Sequence, residues 1–190
     1  MRGRPRQFNR REALDQAARL FRERGFAATT MSALSRAMGM GEQSIYNAFG
    51  NKEAVFQAAL EHYCQGAQRA LQDLEAGHPD PRTAIECFFT RIIEGIAADG
   101  QPCLVAQSCL NDVSQKRAIA GIINGQMERV QGAFEAAIRA GIDQGVFDCE
   151  DPAGLARYLN LTLQGLNIMA RTTTSKEQLE ALIARALQQL

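Results

Sequence analysis

Apolar residues recur along this chain at spacings of three and four, the period of helices that each bury one face. Leu14, Ala17, Ala18 and Phe21 form the first stripe, with Asn9 placed to cap it and Glu12 at the third position of a capping box. Gly25 ends that pattern. Met31, Leu34, Ala37 and Met38 then share a face of a second, short helix, and Ile45 with Phe49 marks the inner face of a third from about Glu42 to Ala48. Gly39 falls between these two. A tight turn between crossing helices calls for a positive φ, which glycine adopts without steric penalty, so Gly39 is the expected pivot and Gly41 the N-cap after it.

The rest of the chain is helical in period too. Val55, Phe56, Ala59, Leu60, Tyr63, Ala67, Leu71 and Leu74 make one long stripe opened by Lys52 and Glu53. Ile85, Phe88, Phe89, Ile92, Ile93 and Ile96 make another, a short one surrounds Leu104, and Ile119 through Ile138 carries a third. Asp80-Pro81 and Asp151-Pro152 each set a capping acid before a proline suited to a first helical turn, and Ser175 with Gln178 offers a further start. Breaks fall at residues 77–81, 99–102 and 141–151. With no alternating strand pattern of useful length and no internal repeat, the chain reads as all-α.

The third helix carries the first chemical hint. At about 100° per residue, Gln43 and Asn47 point away from Ile45, and Ser44 and Tyr46 lie on the flanks. A carboxamide can donate to and accept from a base edge at once, and hydroxyls suit phosphate oxygens. Periodicity alone equally allows a plain solvated face. Charge then tips the balance. The segment from Arg2 to Arg11 holds five arginines and no acid, with Arg4 and Arg6 at its centre. Such an arm binds phosphates by counterion release and can enter a narrow minor groove. The net charge of zero hides a polarity: residues up to His62 carry ten Lys or Arg against six Asp or Glu, and the remainder eleven against fifteen. A basic head on a mildly acidic body is the pattern of a DNA-binding unit joined to one that leaves DNA alone.

Three blocks make a family resemblance specific. Gly25-Phe26-Ala27-Ala28-Thr29-Thr30, then Ala33 through Gly39, then Ser44-Ile45-Tyr46-Asn47-Ala48-Phe49-Gly50-Asn51-Lys52-Glu53 resemble the TetR/AcrR transcriptional repressors over roughly Asn9 to Leu60. The resemblance implies a three-helix head over residues 1–50 and a six-helix body over residues 51–190, about nine helices in all. It implies that Thr30 caps the second helix and touches a phosphate, that Ser44, Tyr46 and Lys52 contact the DNA backbone, and that Gln43 and Asn47 face the bases. Gly41 departs from the serine or threonine common there, which removes a capping hydroxyl.

For the body, the helix from Pro152 to about Arg171 is apolar on most sides and carries only two charges, Arg157 and Arg171. A helix apolar all round must be covered on both flanks. One flank suits its own body and the other a twin subunit, through Leu155, Leu159 and Leu166, joined by Leu179, Leu182 and Ile183 of the last helix. The resemblance implies the same four-helix homodimer contact, and a pocket for a small, largely apolar inducer lined by Phe88, Phe89, Ile92, Leu104, Ser108, Met127, Val130, Phe134 and Leu163. By periodicity these residues are core with or without a cavity. Gln107, Asn111, Asn160, Gln164 and Asn167 are polar groups able to orient a ligand or simply to cap and solvate.

Other classes find little support. The sequence lacks a P-loop, a dinucleotide glycine motif, a nucleophile elbow and a zinc-binding pair, so no enzyme and no cofactor is expected. His62, Cys64 and His78 have no recognised metal spacing. Five cysteines at irregular spacing argue for reduced thiols, with Cys103 and Cys109 a candidate redox or electrophile pair beside the commoner reading of buried small hydrophobes. No apolar stretch is long enough to span a bilayer, and a cytoplasmic location is expected. A helical ligand-binding or adaptor protein without DNA affinity remains the rival class. The preferred reading is a repressor that binds a palindromic double-stranded operator as a homodimer and leaves it when a small molecule binds.

Overall fold

The computed structural model describes residues 9–66, 68–101, 103–171 and 175–188. Arg4, Arg6 and Ala67 lie outside the described residues. The fold is all-α, with helices α1 Arg10–Ala28, α2 Met31–Met38, α3 Glu42–Ala48, α4 Lys52–Gly66, α5 Gln68–Ala76, α6 Pro81–Asp99, α7 Leu104–Cys109, α8 Arg117–Asp143, α9 Pro152–Met169 and α10 Lys176–Leu187. A 3-10 turn over Asp112–Gln115 precedes α8. The long stripe that starts at Lys52 is described as α4 and α5 on either side of Ala67, which gives ten α-helical segments among the described residues.

Local chemistry sets most helix starts. The Asn9 side chain accepts from the backbone of Arg11 at 3.1 Å and Glu12 at 3.5 Å, the forward half of the expected box. Asp80 caps α6 ahead of Pro81 and Asp151 caps α9 ahead of Pro152, while Ser175 and Gln178 form a reciprocal capping box on α10. The end of α1 differs from expectation. Gly25, at φ 76° and ψ 169°, breaks the helical geometry, yet one more turn runs on to Ala28. Buried Thr29 closes that turn by donating its hydroxyl to the Gly25 carbonyl at 2.7 Å. Arg10 and Arg11, counted with the basic arm in sequence, belong to the first turn of α1.

The chain divides into two compact units at Gln65 and Gly66 rather than at residues 50 and 51. The reason lies in α4, whose Phe56 completes the head's aromatic core. Its ring meets Phe21 edge-on at 4.8 Å and Phe26 at 5.2 Å between centroids. His62 adds a 2.8 Å hydrogen bond to Asp15 of α1. Without α4 the rings of Phe21 and Phe26 on α1 would lose the ring that both meet edge-on.

In the body, buried side chains of α5, α6, α8, α9 and α10 share one core. At its centre Phe88, Phe89 and Phe134 pack ring on ring, with centroids 5.1 to 5.7 Å apart. Ion pairs tie α5 to its neighbours, Arg91 with Asp73 and a two-pronged Arg129 to Glu75 contact at 2.6 and 2.7 Å. Among the described residues no helix is long and apolar enough to cross a membrane.

Candidate functional site

Thr30 caps α2, its hydroxyl accepting from the Ala33 N–H at 3.1 Å. Three residues buried on that helix, Ala33, Leu34 and Met38, turn inward as the period required. Gly39 then takes the left-handed conformation at φ 65°, so the turn predicted from its position is formed. A second lock was not legible from periodicity. The Ser35 hydroxyl donates to the Met40 carbonyl at 2.5 Å, and the Met40 N–H donates to the Ser35 carbonyl at 3.1 Å. The turn is thus closed from both directions, which fixes how α3 leaves it.

α3 begins after Gly41, which makes no side-chain cap bond, as the missing hydroxyl implied. Ile45 alone on α3 is fully buried and anchors it from below. Gln43, Ser44, Tyr46 and Asn47 all lie on the exposed side, with Tyr46 48% exposed. Gln43 Nε2 donates to Asn47 Oδ1 at 3.2 Å, one turn apart. That bond uses one atom of each carboxamide, Gln43 Nε2 and Asn47 Oδ1, and leaves an acceptor, Gln43 Oε1, and a donor, Asn47 Nδ2, outside it. Phe49 caps the helix and is half-buried, with the Arg10 guanidinium over its ring at 5.1 Å. A stacked arginine at this corner was missed in sequence, although an Arg at the start of α1 and a Phe at the end of α3 were both visible.

Lys52 occupies a different place from a free phosphate ligand. Its ammonium donates to the carbonyls of Phe26 at 3.0 Å and Ala27 at 3.4 Å and sits 4.4 Å from the centre of the Phe26 ring. It thereby neutralises carbonyls in the last turn of α1, beyond the kink at Gly25. Asn51 caps α4 just before it, accepting from the Ala54 N–H at 2.9 Å.

The body residues singled out in sequence fall into three groups. Phe88, Phe89, Ile92, Val130, Phe134 and Leu163 come together in the α6, α8 and α9 core. Leu104 and Ser108 are buried on α7, and Met127 is half-buried on α8. A groove of about 450 Å³ does exist, but it runs between α6 and α10, lined by residues including Arg82, Glu86, Thr90, Glu180 and Ala184, and shares no residue with that expected lining.

The residues expected at the dimer contact mostly face their own body. Leu159, Leu166, Leu179 and Ile183 are buried within their own body, and Leu155 packs partly buried against the same core. Of the six, Leu182 alone is exposed. The apolar residues that α9 presents outward are Tyr158, Leu161, Ile168 and Met169. Sequence missed this because a helix apolar on nearly every side gives no phase from which to tell the inward face.

The five cysteines are free thiols. Burial pushes the Cys109 thiol above its ordinary value, the neighbouring Cys103 adds to the rise, and the Cys109 Sγ donates to the Val105 carbonyl at 3.2 Å. A thiol held protonated is a poor nucleophile, which counts against the sensing pair.

Comparison with known proteins bears on the whole chain. The family described as "Bacterial regulatory proteins, tetR family" matches residues 13–59. The solved structure of the TetR family transcriptional regulator CifR, a cysteine mutant complexed with 26-base-pair double-strand operator DNA, is 30% identical, with 97% of this chain and 98% of that chain covered at a TM-score of 0.86. The chain belongs to the TetR family. Among characterised relatives, the transcriptional repressor ComR of Escherichia coli is 28% identical over 182 residues, covering 94% of this chain and 87% of that protein. An uncharacterised helix-turn-helix regulator of Bacillus subtilis, YezE, is 26% identical over 185 residues and 94% of each chain. As a TetR-family member the chain is a DNA-binding transcriptional regulator and not an enzyme.

Proposed function

We propose that this TetR-family regulator is a repressor that binds a palindromic operator as a homodimer and is released by a small, largely apolar inducer. The observation that carries the reading is the exposed face of α3, where a bonded Gln43 and Asn47 pair stands beside Ser44 and Tyr46 above a single buried anchor. Such a pair is pre-oriented for a base edge in the major groove, and each good two-bond contact discriminates by about 1–3 kcal/mol. Thr30, Ser44 and Tyr46 serve the phosphates, Arg4 and Arg6 extend the contact along the backbone, and Lys52 acts first by holding the end of α1 in place. The relative solved in complex with operator DNA and the repressor named among the relatives support the same reading.

The dimer is assigned to the outward faces of α9 and α10. Five of the eight large hydrophobic residues that are exposed among the described residues lie there: Tyr158, Leu161, Ile168, Met169 and Leu182. Gly165 stands in the middle of the α9 stripe with open space above it, which lets a partner helix approach closely. Two-fold pairing through this patch suits two recognition helices on successive major grooves. An inducer that prefers one conformer of the body then lowers operator affinity by no more than its differential affinity for the two states.

The test uses duplex DNA from the protein's own upstream region and a scrambled duplex of the same composition. Gln43→Ala and Asn47→Ala are expected to reduce the preference between them by about tenfold. Tyr46→Phe is expected to weaken both alike, and binding to both falls steeply with salt. Equal affinity for the two duplexes at every salt concentration would refute the operator reading.

A further inference from the structure

The body hides very little polarity. Among the described residues the buried polar side chains are Thr29 in the head and Gln107, Ser108 and Asn167 in the body, and none is charged. The three body residues belong to one contact, that of α7 with α9. Asn167 is satisfied there: its Oδ1 accepts from the Cys103 N–H at 3.0 Å and its Nδ2 donates to the Leu163 carbonyl at 2.9 Å. Ser108 is satisfied too, donating to the Leu104 carbonyl at 2.6 Å. Gln107 is different. It is 5% exposed, and its Oε1 is a buried acceptor to which no protein group among the described residues donates.

A buried acceptor without a donor lowers stability, and natural chains keep such groups rarely. A methionine or leucine of similar size would fit an α7 whose Leu104, Val105 and Ala106 are all buried. Gln107 therefore stands where stability alone would select an apolar side chain, a departure characteristic of functional positions. Its surroundings also define what could answer it. With no charged side chain buried in the described body, an ionic ligand would be left unpaired there. The complement of a lone carbonyl oxygen in apolar surroundings is a neutral molecule with one O–H or N–H donor.

We infer that Gln107 is the polar anchor of the effector site and that the effector is a neutral, mainly apolar molecule bearing a hydrogen-bond donor, such as an alcohol or phenol. The inference rests on the inducer-released repressor proposed above, and it fixes the ligand's chemistry at one atom, Gln107 Oε1. The anchoring helix is short and continuous with the α7 to α9 contact. A ligand donor bound to Gln107 would thus act on the same element that Asn167 ties to α9.

Two measurements on the full-length protein test it. Without any ligand, Gln107→Met is expected to raise the melting temperature by about 2–5 °C, because the unanswered acceptor is gone. A fall instead would make Gln107 a structural residue and overturn the inference. With millimolar p-cresol and its O-methyl ether 4-methylanisole as probes, the wild type is expected to be stabilised more by the cresol, and Gln107→Met to lose that preference. Equal stabilisation by both probes, no stabilisation by either, or a preference that survives in the variant would each overturn it. Operator release is read separately: a wild type that prefers the cresol yet stays on DNA upholds the Gln107 site and refutes ligand-controlled release.

Discussion

Gly141 is a residue whose lack of a side chain is required by a neighbour. It is buried in the last turns of α8, and a Cβ placed on it would sit within the Phe147 ring. Phe147 cannot easily step aside, since its own N–H and that of Val146 both donate to the Gly141 carbonyl, at 3.2 and 2.7 Å. Gly141→Ala is therefore expected to destabilise the protein by about 1–2 kcal/mol, overpacking outweighing the better helix propensity of alanine. Urea unfolding followed by circular dichroism measures it, and an unchanged midpoint would mean the ring relocates freely. The sequence held both residues but no sign of their contact, because the approach depends on how the chain returns after α8. Lys52 shows the same limit from the other side. Its place in the family's pattern was legible, while its bonds to Phe26 and Ala27 depend on the kink of α1 at Gly25.

Helix starts were the most legible elements because capping is local. Asn9, Asp80, Asp151 and Ser175 each cap as their sequence context indicated, and Thr30 caps as the family resemblance implied. Tertiary choices between elements were less so. The clamp from Glu75 on α5 to Arg129 on α8 spans residues far apart in sequence, and nothing in either stripe announces it. The Arg129 bond holds the Glu75 carboxyl below its ordinary value, and folded protein thus favours the ionised form. That contribution is present in full above the ordinary carboxylate range and is lost as pH falls through the lowered folded value. Both side chains are about one-third exposed, at 33% and 37%, so solvent screening keeps the gain small. Arg129→Met is expected to lower stability at neutral pH by about 1 kcal/mol or less, with the gap to wild type closing on acidification. Thermal melts across that range decide it. A gap that stays constant with pH would assign the loss to packing of the arginine stem instead.

At the scale of the molecule, the head was readable because its three motif blocks and its basic charge point the same way, whereas the outward face of α9 was not. α9 is apolar on nearly every face, and only the packed body shows that Leu159, Leu163 and Leu166 turn inward while Leu161 is left 71% exposed. An exposed stripe of this kind is unfavourable on a lone chain and would be covered in the dimer proposed above. In a two-fold contact the same patch lies on both subunits, so a charge introduced at Leu161 is introduced twice into one small area. Leu161→Glu is accordingly expected to yield a monomer by sedimentation that keeps its helical content, since the side chain is 71% exposed on its own body, and that melts below the wild-type dimer because the stabilisation linked to association is lost. Operator affinity should fall by about tenfold or more, since each head would bind its half-site without the second held nearby. A variant that remained dimeric would move the interface to another surface, and one that dissociated yet bound operator undiminished would show that a single head suffices.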